Sequence, residues 1–188
     1  IRRCNLHCSH CYSASTNKHF PGELSHEQAC RVMDDLHQFG VRALILSGGE
    51  PLLRPDIYDL AQRAKALGMY VGLSSNGTLI TEQTIDQIAD CGFDYVGISL
   101  DGLQARHDNI RGEKGAYAAS LQGLRLCREK HLKVGLRFTL TQENALDLNG
   151  LLQVMEQEQI DRFYLSHLNY AGRGLGNRSL ASHHALTR

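Results

Sequence analysis

Arg2-Arg3-Cys4-Asn5-Leu6-His7-Cys8-Ser9-His10-Cys11-Tyr12 is the stretch on which the reading of this chain turns. Three cysteines fall within eight residues at C-x3-C-x2-C spacing, on a segment without a strong helix or strand period. Thiolates spaced this tightly can turn inward around one metal centre. Two ligand sets dominate cysteine-rich sites: four protein ligands on a structural zinc, or cysteines on an iron–sulfur cluster. No fourth cysteine stands at matching spacing. On a four-iron cluster, three thiolates leave one iron open for a substrate or cofactor, which argues for chemistry rather than scaffolding. A Cys3His zinc site using Cys4, Cys8, Cys11 and His7 or His10 stays open at this point, although ligands so close together would be cramped.

Working outward, the next informative stretch is Ala43-Leu44-Ile45-Leu46-Ser47, a short apolar run that delivers Gly48-Gly49-Glu50-Pro51. A zinc reading of the cysteines leaves this second motif unexplained. Cys4-x3-Cys8-x2-Cys11 followed by Gly48-Gly49-Glu50-Pro51 resembles the radical S-adenosylmethionine (SAM) superfamily. The resemblance implies a [4Fe-4S] cluster on the three cysteines, with SAM chelating the fourth iron. It also implies reductive cleavage of SAM to a 5′-deoxyadenosyl radical that takes hydrogen from a substrate. The protein's part is then orientation and exclusion of water and oxygen.

Composition agrees with an enzyme core without proving one. The 188 residues suit one domain with a sizeable core. Twenty basic and twenty acidic side chains cancel, so no nucleic-acid or anionic-membrane surface is expected. No apolar run reaches the roughly 18 residues of a membrane span, and no secretory leader is visible. Six cysteines, three of them clustered, are too sparse for a disulfide scaffold and favour a reducing compartment, the cytoplasm by default. Because Ile1 runs straight into the cysteine motif, a fragment lacking its true start is expected.

The rest of the chain reads as repeated strand–helix units. Ser25-His26-Glu27-Gln28 has the form of a capping box opening a helix with Ala29, Val32, Met33, Leu36 and Phe39 on one face and a stop at Gly40. Residues 43–47 are expected as a buried strand. Helices follow over 55–67, 81–91, 116–130 and 146–157, and strands over 70–74, 95–100, 133–140 and 161–167. Residues 103–115 read as an irregular loop with a short turn of helix. Beyond Tyr170 no element is expected, so residues 1–168 form the core domain and 169–188 a polar tail leading to a C-terminal region outside this chain. Alternating units give a parallel sheet with right-handed crossovers. Pattern alone cannot separate a doubly wound sheet from an incomplete barrel. The resemblance implies a partial (β/α)6 TIM-like barrel, an α/β fold whose first strand would end just before Cys4.

Three strand ends share a pattern. Period-two geometry groups Gly72, Ser74 and Asn76 on one side, then Gly97, Ser99 and Asp101, then Gly135, Arg137 and Thr139. Glycine removes bulk and polar groups offer hydrogen bonds, which suits a cavity for a polar ligand at the carboxyl ends of the strands. An arginine on the inward side of a strand wants an anion. His167, ending the last strand, is the histidine that could reach a substrate. Cys30, Cys91 and Cys127 lie in or at the ends of helices and read as buried small hydrophobes. His183-His184 is a tail pair to which no role attaches.

The resemblance assigns further roles. Cys4, Cys8 and Cys11 would hold the cluster. Gly48 and Gly49 would let the backbone approach SAM, Glu50 would receive its methionine amino group, and Pro51 would fix the turn. Ser99 matches a position that contacts the ribose, with Asp101 assisting or capping the next turn. Ser74 and Asn76 fall where the family contacts the sugar or the methionine part, and Arg137 would meet the SAM carboxylate. His10 departs from the aromatic residue usual beside adenine, although a histidine can still stack. Phe20 to Ser25, the stretch around Gly48 and Phe163 to Gly174 resemble the radical SAM proteins of d1-type haem biosynthesis. That likeness implies a tetrapyrrole substrate, didecarboxysirohaem, whose two propionates are replaced by oxo groups. It also implies an electron donor such as flavodoxin or ferredoxin. Enzymes of alternative haem synthesis and peptide-modifying relatives share much of the pattern. Those relatives commonly carry a cysteine-rich C-terminal extension, and no cysteine follows Cys127 here.

Overall fold

The computed structural model describes residues 1–160 and 162–180, with nothing stated for the side chains of 177–180. His183-His184 therefore lies outside the described residues. Ser25 opens helix α1 (His26–Gln38) with both halves of the capping box: its hydroxyl accepts the Gln28 N–H, and the Gln28 side chain accepts the Ser25 N–H. Ala29 and Met33 are the buried stripe, with Leu36 packed beside them. Val32 and Phe39 were expected on that face but are 42% and 87% exposed. The buried stripe is thus narrower than the apolar pattern.

Five strands follow in order, each parallel to the next: β1 (Ala43–Leu46), β2 (Tyr70–Ser75), β3 (Tyr95–Ser99), β4 (Val134–Leu140) and β5 (Arg162–His167). Together they form a curled half-barrel covered by helices. The expected strand before Cys4 is not seen; residues 1–3 carry no regular structure but lie against the end of β1. There Ile1 and Arg3 accept the N–H groups of Gly49 and Glu50 at 2.8 and 2.9 Å. β1 is also less buried than expected: among the described residues it pairs with β2 alone, and Ile45, beside Gly72 on the inward side of the sheet, is 46% exposed.

Connecting helices are α2 (Ile57–Ala66), α3 (Ile85–Asp90), α4 (Gln104–Arg111), α5 (Ala116–Glu129) and α6 (Leu148–Gln157). α3 is shorter than expected. α4 occupies the stretch expected to be irregular, and its buried residues are His107, Ile110 and Arg111. They fall at i, i+3 and i+4, so this is a real helical face, but two of its three members are polar. Hydrophobic periodicity is silent on such a helix. A 3-10 helix, Gly172–Leu180, stands where no element was expected.

The outward sides of the central strands make the core. Val96, Ile98, Leu100, Leu136, Phe138 and Leu140 are buried among Leu124, Cys127 and Leu151 of the covering helices. Cys91 and Cys127 belong to this core, and burial pushes their thiols up to about 11 and about 12. Cys30 is only partly buried, with its sulfur 3.5 Å from His26 Nε2.

A cavity ringed by three thiols and four strand ends

Beads of small residues on the inward side of the sheet leave room for one large side chain. A Cβ on Gly97 would come 2.9 Å from Tyr95 Oη, and one on Gly135 would meet the same ring. Tyr95 fills the space these glycines vacate, its ring edge-on to Tyr164 with centroids 5.6 Å apart. Above this floor lies a cavity of about 370 Å³. Its polar wall comes from Ser74 of β2 and Asn76 just beyond it, Ser99 of β3, Arg137 and Thr139 of β4, and Ser166 and His167 of β5. Its other wall is the loop carrying Cys4, Cys8, His10 and Cys11, with Gly48 and Gly49 at the edge.

Each cysteine sulfur receives an N–H group. Leu6 N lies 3.4 Å from Cys4 Sγ, Ser15 N 3.4 Å from Cys11 Sγ, and Arg111 Nη1 3.6 Å from Cys8 Sγ. Burial pushes the Cys4 thiol up to about 11. Burial would raise Cys11 too, but hydrogen bonds from the Ser13 hydroxyl and the Ser15 and Ser13 backbone outweigh it, and its pKa is lowered. None of the cysteines is in a disulfide. Among the described residues no three His, Cys, Asp or Glu side chains converge closely enough to hold one metal ion. A single tetrahedral ion needs that convergence; a four-iron cluster takes sulfurs farther apart, each stabilised by donated hydrogen bonds. Three thiols on one short loop, each receiving an N–H group, are a donor set that a four-iron cluster accepts.

Three of the residues that the resemblance places at the site, Glu50, Pro51 and Asp101, do not line this cavity. Glu50 is wholly buried, accepting Asn76 N–H at 2.8 Å, Ser75 Oγ–H at 2.9 Å and Leu52 N–H at 3.1 Å. Burial pushes its carboxyl up to about 7 even though these bonds and Arg111 pull it down. Pro51 is buried at the start of a 3-10 turn. Asp101 sits one layer behind the wall, 2.6 Å from Arg111 Nη2 and 3.0 Å from His10 Nε2, and it accepts the Thr139 N–H at 2.8 Å. Burial would raise its carboxyl, yet the Arg111 guanidinium, with the hydrogen bonds from His10 and the Thr139 backbone, holds it well below the usual range. Gly48 and Gly49 are required by the chain itself: a Cβ on either would run into the carbonyl of Ile1 or Arg3. Arg137 reaches the cavity with its guanidinium 5.9 Å from the centre of the Tyr164 ring, and no carboxylate is within ion-pair distance among the described residues.

Two arginines that the sequence did not single out complete the arrangement. Arg111 comes from the unexpected helix α4. Arg173 comes from the unexpected 3-10 segment, donating through Nε to Cys8 O at 2.6 Å and through Nη1 to Ser15 O at 2.8 Å, while its backbone N–H bonds Cys11 O at 2.9 Å. Its Nη2 is buried without a partner. No local pattern marks either arginine, and the fold alone brings them to the cysteine loop from 103 and 165 residues away.

Comparison with known proteins agrees with the geometry. The Radical SAM superfamily model matches residues 1–154. The pre-heme d1 synthase of Dinoroseobacter shibae is 52% identical over 187 residues, covering all of this chain and 46% of that protein. The Fe-coproporphyrin III synthase of Methanosarcina barkeri is 44% identical over 173 residues, covering 92% of this chain and 43% of the relative. This chain thus spans less than half the length of these curated relatives. The fold matches SuiB of Streptococcus suis, solved with S-adenosylmethionine, with a TM-score of 0.77 at 20% identity over 89% of this chain and 39% of that one. It also matches anSMEcpe with bound AdoMet, with a TM-score of 0.74 at 20% identity over 89% of this chain and 49% of that one. The chain belongs to the radical SAM superfamily, enzymes that use a [4Fe-4S] cluster and S-adenosylmethionine.

Proposed function

We propose that this chain is the catalytic core of a radical SAM enzyme acting on the propionate side chains of a tetrapyrrole, in d1-type haem formation. The observation that carries the core assignment is the cavity itself, with Cys4, Cys8 and Cys11 on one wall and polar strand ends on the other. Identity of 52% to a pre-heme d1 synthase, and the tetrapyrrole named in the Fe-coproporphyrin III synthase relative, support the substrate class.

Cys4, Cys8 and Cys11 would hold the cluster, which when bound supplies the electron for reductive cleavage of SAM. In this reading the chain's own residues bind, orient and shield. Ser74, Asn76 and Ser99 offer hydrogen bonds to the sugar and methionine parts, and Arg137 takes the carboxylate. His10 stacks beside the adenine while Asp101 holds its ring from behind. Glu50 acts by fixing Ser75 and the Asn76 backbone, with Gly48, Gly49 and Pro51 shaping the turn. His167 lies at the substrate side. A low-potential carrier of the flavodoxin or ferredoxin class supplies the electron, and a cytoplasmic setting keeps the thiols reduced. No helix among the described residues is long and apolar enough to cross a membrane.

The test uses anaerobically reconstituted protein beside Cys8→Ala. Iron and sulfide near four per chain, and cysteine-dependent release of 5′-deoxyadenosine, are expected. Loss of the two propionate side chains from didecarboxysirohaem, with oxo groups in their place, should accompany that release. Zinc in place of iron would sink the assignment, and release without any change in the tetrapyrrole would sink the substrate.

A further inference from the structure

The loop carrying Cys8 is fastened on both sides of that cysteine to the end of α4. His7 N–H bonds Arg111 O at 3.1 Å, and Ser9 N–H bonds Ile110 O at 2.8 Å. Carbonyls that a helix end would leave without partners are thus used to hold the loop. Gly112 ends the helix in the left-handed region at φ 68°, and a Cβ there would sit 2.8 Å from His7 O. Helix end and loop are one body. From this body the Arg111 side chain turns back under the loop. It is 8% exposed, with Nη1 3.6 Å from Cys8 Sγ and Nη2 2.6 Å from Asp101 Oδ2.

We propose that Arg111 is a positioning residue that sets the reduction potential of the centre held by Cys4, Cys8 and Cys11, with Asp101 as its counter-charge. This rests on the cluster reading above. The reaction at issue is the entry of one electron, delivered by a reduced carrier of the ferredoxin or flavodoxin class. The centre becomes more negative by one charge, no bond is made, and no proton moves. Arg111 stays protonated throughout, since guanidinium does not titrate in proteins. A fixed positive charge beside a cysteine sulfur stabilises the reduced state, and in a buried place it is little screened by water or salt. A hydrogen bond to a ligand sulfur acts in the same direction. Asp101, on the far side of the guanidinium, opposes both effects. The net potential is therefore a balance between the two side chains, and each has a predictable sign.

The experiment is a redox titration of the reconstituted protein followed by electron paramagnetic resonance, with iron counted in every sample. Arg111→Gln is expected to shift the midpoint potential in the negative direction, Asp101→Asn in the positive direction, and Arg111→Lys by less than Arg111→Gln. A purely structural pair would lose iron in the variants without this opposition of sign. Shifts in the same direction for Arg111→Gln and Asp101→Asn, or no shift in either at full iron, overturn the proposal. If Arg111→Gln holds no cluster, Asp101→Asn decides alone, and an unchanged or lowered potential overturns it. Failure of the parental protein to bind iron and sulfide would instead remove the cluster reading itself, a result visible before any potential is measured.

Discussion

Glu50 Oε2 accepts the backbone N–H of Asn76 at 2.8 Å, tying the turn after β1 to the end of β2 beneath the cavity. The carboxyl is wholly buried, and burial pushes it up to about 7 from an ordinary 4.5. The folded chain therefore keeps a proton on Glu50 that the unfolded chain releases. This contributes stability fully present below pH 4.5 and lost as pH rises through 7. Thermal unfolding of the metal-free protein should show that loss across the window, and Glu50→Gln should lack it. The slope is the readout, since the amide also disturbs the three hydrogen bonds. An identical slope in the variant would count against this account.

His107 carries the opposite sign. Its Nδ1 accepts the Asp101 N–H at 3.0 Å, and burial lowers its pKa from 6.5 to about 3. The folded state refuses a proton that the unfolded state takes, so this stability is present above pH 6.5 and is lost as pH falls toward 3. The two slopes oppose one another between pH 4.5 and 6.5. His107→Gln keeps an acceptor for Asp101 and removes the titration. Its unfolding temperature should fall with rising pH more steeply than that of the parent in that interval.

Gly49→Ala tests the packing of residues 1–3 on the turn. The new methyl would overlap the Arg3 carbonyl, which already accepts the Glu50 N–H. Overpacking against backbone costs on the order of 2 kcal/mol. Because Arg3 precedes Cys4, the displacement should also reduce the iron retained after reconstitution. Retention of full iron and an unchanged unfolding midpoint would contradict this packing.

Asn144 is a wholly buried clamp beyond β4. Its Nδ2 donates to Asp101 O at 3.0 Å and Thr139 O at 2.8 Å, and its Oδ1 accepts the Thr141 N–H at 2.7 Å. Asn144→Ala leaves three backbone groups without partners, a loss of about 3 kcal/mol measurable by urea unfolding. Asn144→Asp keeps the acceptor for Thr141 but sets a buried carboxylate oxygen against two carbonyls, and should recover none of that loss at neutral pH.

What the sequence by itself determined was local. Cysteine spacing, the Ser25 capping box, the alternation of apolar strands with helices, and the side on which Ser74, Ser99 and Arg137 fall all follow from neighbours in the chain. Helical and strand periods, and the chemistry of a cap, need nothing more distant. The exposure of Val32, Phe39 and Ile45 was not legible, because pattern reports which residues are apolar and not what covers them. Helix α4 escaped because His107 and Arg111 are buried by partners over the cysteine loop, and a polar face carries no hydrophobic period. Tertiary structure alone decided that Glu50 and Asp101 stand behind the cavity wall, and that Arg111 and Arg173 reach Cys8 from 103 and 165 residues away. The physical reason is that a buried charge is acceptable only where a counter-charge and hydrogen bonds meet it, and the fold fixes which distant segments supply them.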